Sequence, residues 1–106
     1  MIDFEQLGEE LIPQMRGGEG TVKARRFLHG NVKILKLTLE KGVSIGEHRH
    51  ETDCEAYYVL EGTAHVFLDG KEEVVHAGQC HYCPMGSAHS VINLDSRPLV
   101  LFAVVA

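Results

Sequence analysis

What the chain has little of narrows the reading before any motif is considered. Only three cysteines occur among 106 residues, Cys54, Cys80 and Cys83, too few and odd in number for a disulfide framework. Cationic side chains are outnumbered. Ten Lys and Arg stand against fifteen Asp and Glu, a formal net charge of −5 with the seven histidines neutral. Nucleic acid and anionic membrane surfaces recruit clustered Lys and Arg, so neither is an expected partner. No apolar stretch approaches bilayer length, the longest being Leu99–Ala106. The opening Met1-Ile2-Asp3-Phe4-Glu5 lacks the basic segment and apolar run of an export signal, so the expected location is cytoplasmic. There is also no internal repeat, linker or low-complexity tract, and almost no helical periodicity.

Leu, Ile, Val and Phe supply 31 of the 106 residues, enough for the core of one small domain. Turn signals such as Gly30-Asn31, Lys41-Gly42, Glu61-Gly62, Asp69-Gly70 and Ala77-Gly78 recur at short intervals between Val-, Ile-, Leu- and aromatic-rich segments. That rhythm predicts an all-β sandwich or barrel. Over residues 32–39, Lys33, Leu35, Leu37 and Leu39 share the more apolar face. Asp69-Gly70 is a hairpin turn, because both residues tolerate positive φ. Leu99–Val105 is apolar on both faces and must be covered twice, by the core and by something else, which predicts a homodimer. Residues 1–20 are expected to form an N-terminal arm, with Asp3 capping a short helical turn limited by Gly8 and Pro13. Residues 21–106 form the barrel.

Seven histidines are the compositional oddity, and their placement matters more than their number. His48 and His50 are separated by one residue, which on a strand puts both rings on one face about 6.6 Å apart along the chain. Two imidazoles so placed can converge on one ion. A bend through Glu51-Thr52-Asp53 would bring Glu55 back towards them. Imidazole nitrogen and carboxylate oxygen suit Mn, Fe, Co, Ni, Cu or Zn. A further histidine, His89, follows the Pro84-Met85-Gly86 turn.

Here the sequence resembles the cupin superfamily. The first cupin motif falls on Gly42, His48, His50, Glu55 and Gly62, with four residues between His50 and Glu55; the second falls on Gly78, Pro84, Gly86, His89 and Asn93. Every fixed position is matched with its spacing, over residues 42–93. The resemblance implies a single-domain double-stranded β-helix, or jelly-roll barrel. It also implies metal ligation by His48, His50, Glu55 and His89, a turn or strand-end role for Asn93, and one divalent transition metal ion (Mn, Fe, Ni, Co or Zn). One carboxylate and three neutral imidazoles leave a divalent ion with a net local charge of +1. Four ligands would close a tetrahedral zinc site, whereas an octahedral ion would keep two positions open.

Such a centre attracts a small anionic or oxygenated metabolite. Two readings follow: a metal-dependent lyase, isomerase or dioxygenase, or a non-catalytic small-molecule or metal-binding module. Tyr57, two residues beyond Glu55 and on the same strand face, is the candidate acid or base, with pocket lining as its plainer role. Tyr58 points the other way. His65 is expected at solvent or in a satisfied core position, and His29, His76 and His81 at the surface or strand edges. Cys80 and Cys83 lie on opposite faces of one strand and, like Cys54, read as buried small hydrophobes rather than as a thiol site.

Overall fold

The computed structural model describes residues 1–106. Ten strands follow in order: β1 (Glu10–Pro13), β2 (Thr21–His29), β3 (Val32–Leu39), β4 (Ser44–Arg49), β5 (Glu55–Glu61), β6 (Thr63–Leu68), β7 (Lys71–His76), β8 (Cys80–Cys83), β9 (Ala88–Ile92) and β10 (Leu99–Val105). They form two antiparallel sheets, a six-stranded one ordered β1-β2-β3-β10-β5-β8 and a four-stranded one ordered β4-β9-β6-β7. Neighbours in each sheet are mostly distant in sequence, as an all-β jelly-roll barrel requires.

Period-two alternation builds the core. Leu35, Leu37 and Leu39 of β3 are buried, and they lie beside Leu99, Leu101 and Ala103 of β10 in register. Ile45, Ala64, Val66, Val75 and Val91 face them from the smaller sheet. At about 25 cal/mol per Å² of apolar surface removed from water, this interleaved set is the main stabilising term. The other face of β10 carries Val100, Phe102 and Val104, all half-buried, with Phe4 packed edge-on against Phe102 at 6.2 Å between ring centroids.

Asp69 and Gly70 join β6 to β7 at φ 50° and 82°, the left-handed conformation expected of that turn. Asn93 is fully buried, and its amide donates to the carbonyls of Leu39 and Arg97 while its carbonyl accepts from the Asp95 N–H. The first role is legible in the Asp-Gly turn signal and the second in the motif position of Asn93.

The first twenty residues run over the barrel. Phe4–Gln6 forms one 3₁₀ turn, with the Asp3 carboxylate accepting from the Glu5 N–H at 3.0 Å. Glu10–Pro13 adds to the edge of the larger sheet as β1, held by the Glu10–Arg26 ion pair. A second 3₁₀ turn, Met15–Gly17, then presses backbone to backbone on β4. A Cβ on Gly46 would lie 2.2 Å from the Arg16 carbonyl oxygen, and one on Gly18 would lie 2.2 Å from that of Ser44. Only glycine permits this approach. It brings Met15 and Arg16 to the mouth of the cavity described next.

Candidate metal centre

The two motif segments meet through their backbones. The His50 N–H donates to the Ser87 carbonyl at 3.0 Å, and the Gly86 N–H donates to the His50 carbonyl at 2.6 Å. His48 on β4 stands opposite His89 on β9 after the register shifts between Ile45 and His48. Such an irregularity re-aims the side chains that follow it. Glu55 opens β5, paired with Cys83 and Val105.

Four donor atoms from these residues cluster tightly. The Glu55 Oε1 lies 3.0 Å from the Nε2 atoms of His50 and His89 and 3.5 Å from that of His48. His89 Nε2 is 3.0 Å from His50 Nε2 and 3.1 Å from His48 Nε2. His50, Glu55 and His89 are buried and His48 is half-buried.

The opposite edge of each ring explains which nitrogens point inward. Nδ1 of His48 lies 2.8 Å from the Gly46 carbonyl, and Nδ1 of His50 lies 2.7 Å from the Asp53 carboxylate. Both acceptors lack hydrogens, so each Nδ1 carries the proton and each Nε2 presents a lone pair. Three imidazole nitrogens and a carboxylate packed this closely repel one another unless a cation or protons lie between them. Bonds of about 2.1 Å would place neighbouring ligand atoms about 3.0 Å apart at right angles and about 3.4 Å at the tetrahedral angle. These five separations fall at or near those values, so the donor set fits a metal ion.

Electrostatics favours occupation. Burial alone would push the Glu55 carboxyl up, but the His48, His89 and His50 imidazoles closing on it outweigh that and hold the group at about 2. His89 is shifted below the usual histidine value, chiefly by burial, with Glu55 opposing and His48 and His81 reinforcing. The carboxylate is therefore ionised and the imidazole neutral at ordinary pH, the forms that bind metals.

A cavity of about 580 Å³ opens beside the cluster. His48, His50, Glu55 and Tyr57 line it with Ile45 and Leu37, while Arg16, Lys33 and Arg49 bring positive charge and Glu51 and Asp53 negative charge. Tyr57 is fully buried, and its ring stacks on His89 with centroids 5.0 Å apart and planes 14° apart. Burial and then the neighbouring Glu55 charge raise its phenol well above the usual range, so it stays protonated. In this setting it can donate a hydrogen bond, but it is a weak acid and cannot act as a base.

Several other expectations are corrected. His81 is not at a surface or strand edge. It is buried on β8, with Nε2 3.0 Å from His89 Nδ1 and Nδ1 2.9 Å from the Glu73 carboxylate. The reason is register: β5 and β8 pair Tyr57 with His81 and Glu55 with Cys83, so His81 shares the inward face. Of the thiols only Cys83 is buried, its pKa raised by burial to about 11; Cys54 is half-buried and Cys80 exposed. Alternation along β8 turns Cys80 and Tyr82 outward. Tyr58, His29 and His76 are exposed as expected. His65 is half-buried on the outer side of β6, with Nδ1 3.6 Å from the Glu72 carboxylate. Gly46, Asp53, Glu73 and His81, which complete the hydrogen bonding of the ligands, were not singled out by motif spacing, since their partners are set by register and turns.

This barrel, with its histidine and carboxylate cluster, is that of a cupin. The chain belongs to that family, and the cupin domain model matches residues 35–105. Over 111 aligned residues it is 30% identical to an oxalate-binding protein of Thermotoga maritima, covering 99% of this chain and 92% of that one. The crystal structure of a predicted oxalate decarboxylase from Thermotoga maritima superposes with a TM-score of 0.93 at 29% identity, covering 99% of this chain and 96% of that one. Over 76 residues the chain is 32% identical to quercetin 2,3-dioxygenase of Bacillus subtilis, spanning 72% of this chain but only 22% of that enzyme.

Proposed function

We propose that this chain is a metal-dependent cupin in which His48, His50, Glu55 and His89 hold one divalent transition metal ion, Mn, Fe, Ni, Co or Zn. It acts on a small anionic or oxygenated metabolite as a lyase, isomerase or dioxygenase. The observation that carries the reading is the convergence of three imidazole nitrogens and one carboxylate oxygen beside a cavity. When bound, the metal supplies Lewis acidity towards an oxygen-bearing ligand. The chain's own contribution is orientation and charge. Arg16 and Lys33, which make no ion pair within the chain, offer positive charge to an anion in the cavity. Tyr57, held protonated beside Glu55, is the candidate catalytic side chain, as a hydrogen-bond donor to a bound ligand.

A second reading, a binding module without turnover, is favoured by the full-length likeness to a Thermotoga protein named for binding oxalate. Three unpaired cysteines support a reducing, cytoplasmic location. The apolar outer face of β10 supports a homodimer.

The test is anaerobic purification without affinity-tag metal, elemental analysis, and then titration with oxalate and other small dicarboxylates and α-keto acids. Stoichiometric metal with consumption of a ligand establishes the enzyme. Stoichiometric metal with saturable binding and no turnover establishes the module. A protein that neither holds nor takes up a divalent metal overturns both.

A further inference from the structure

His89 differs from the other two imidazoles in how its outward edge is held. His48 and His50 each meet an oxygen acceptor directly, a carbonyl and a carboxylate. His89 Nδ1 instead meets a second imidazole, His81 Nε2, at 3.0 Å, and only then does His81 Nδ1 reach an acceptor, Glu73 Oε1, at 2.9 Å. A neutral imidazole can be donor or acceptor at either nitrogen, so the first of these bonds does not by itself say where the protons sit.

Glu73 settles the ambiguity. A carboxylate only accepts, so a neutral His81 carries its proton on Nδ1. His81 Nε2 is then a bare acceptor, so His89 must carry its proton on Nδ1 and present a bare Nε2 to Glu55, His48 and His50. The reverse arrangement would set a lone pair of His81 against the Glu73 carboxylate. It would also place a proton on His89 Nε2, in the space a metal needs. The geometry points to Glu73 and His81 as positioning residues that select the ligating tautomer of His89 through two hydrogen bonds in series. This inference rests on the metal-binding reading above.

The placement fits the role. Glu73 and His89 belong to the smaller sheet and His81 to the larger, so the chain crosses the barrel between its two layers. His81 is 1% exposed and its ring lies 28° from that of His89 at 5.2 Å, so neither ring can turn without displacing the other. Tyr57 covers His89 at 5.0 Å and His81 at 5.7 Å. The Glu73 side chain is 48% exposed. It can be changed without opening the core.

The test uses the whole chain labelled with ¹⁵N-histidine, measured free of metal by long-range ¹H–¹⁵N correlation and then titrated with cobalt(II) in competition with a chelator. The wild type is expected to show His89 as the Nδ1–H tautomer. Glu73→Ala and His81→Phe are expected to lose that tautomer preference and to weaken cobalt binding about 10- to 100-fold, the usual effect of removing a ligand's hydrogen-bond partner. His81→Gln, whose amide carbonyl can accept from His89 Nδ1–H, is expected to restore both properties relative to His81→Phe. An unchanged tautomer and unchanged cobalt affinity in folded Glu73→Ala overturns the inference. So does a His81→Gln variant as impaired as His81→Phe, which would show that the site needs the ring's shape and not its acceptor. A wild type that shows the tautomer but binds no cobalt overturns the metal reading and leaves the tautomer assignment standing.

Discussion

His48 and His89 face each other across β4 and β9 with their Nε2 atoms 3.1 Å apart. Each ring's proton is directed away from the other, towards Gly46 in one case and His81 in the other. Two neutral imidazoles held with lone pairs opposed gain nothing from their proximity unless a cation joins them.

His89→Ala and His50→Ala are therefore expected to lower metal content sharply while leaving the β fold intact. Hydrophobic packing between the sheets is the main stabilising term, and these two side chains lie beside that cluster rather than in it. Elemental analysis with far-ultraviolet circular dichroism checks the pair of outcomes. If both variants keep full stoichiometric metal, the ligand assignment is wrong.

Much of this arrangement is legible in the sequence, for a physical reason. The apolar alternation of residues 32–39, the Asp69-Gly70 turn and the doubly apolar Leu99–Val105 strand are local patterns, and each appears as expected. The spacing of His48, His50, Glu55 and His89 is also local within each motif. What is not legible is cross-strand register. His81 becomes a buried partner of His89 only because β8 pairs with β5 so that Tyr57 stands opposite His81. Glu73 reaches it from β7 of the other sheet. Cys80, next to His81, is exposed by the same alternation. Nothing in the spacing of a four-residue strand states which of its faces is inward.

Acid is expected to destabilise the metal-free protein in two stages. His89 is shifted below its usual value of 6.5, so the unfolded chain binds its proton more readily than the folded one. The stability this gives is full above 6.5 and is lost as pH falls through the lowered folded value. Glu55, held at about 2 against an ordinary 4.5, contributes stability that is full above 4.5 and lost as pH falls towards 2. Both effects have the same sign. Thermal unfolding of chelator-treated protein should show Tm declining below pH 6.5 and again below pH 4.5. A Tm that is flat or rising on acidification across both ranges contradicts the site electrostatics.

A homodimer is expected from the outer face of the larger sheet. Register aligns Phe102 with Tyr58 and Val104 with Ala56, and Ala56 in turn with Tyr82. Tyr58, Leu60 and Tyr82 are exposed large hydrophobic side chains on this face. A small barrel buries a modest share of its surface by itself, so a second copy seated here would remove apolar area that the fold leaves in water. Light scattering at micromolar concentration should give twice the 11.7 kDa chain mass, and Tyr58→Glu combined with Leu60→Glu should give the monomer. A monomeric wild type defeats this assignment without touching the metal centre.

Tyr57 separates packing from chemistry. Its ring is buried against His89 and His81, so Tyr57→Ala should cost about 3–5 kcal/mol in denaturant unfolding, the usual range for emptying an aromatic site in a core. Tyr57→Phe keeps the ring and removes only the hydroxyl beside Glu55, so it should cost about 1 kcal/mol and leave metal stoichiometry unchanged. Against a substrate identified by the titration above, loss of a hydrogen-bond donor to the reacting ligand would lower kcat about 10²-fold or more in Tyr57→Phe, whereas a lining role would leave kcat within a few fold. Full turnover in this variant, with its metal retained, would assign Tyr57 to the wall of the cavity.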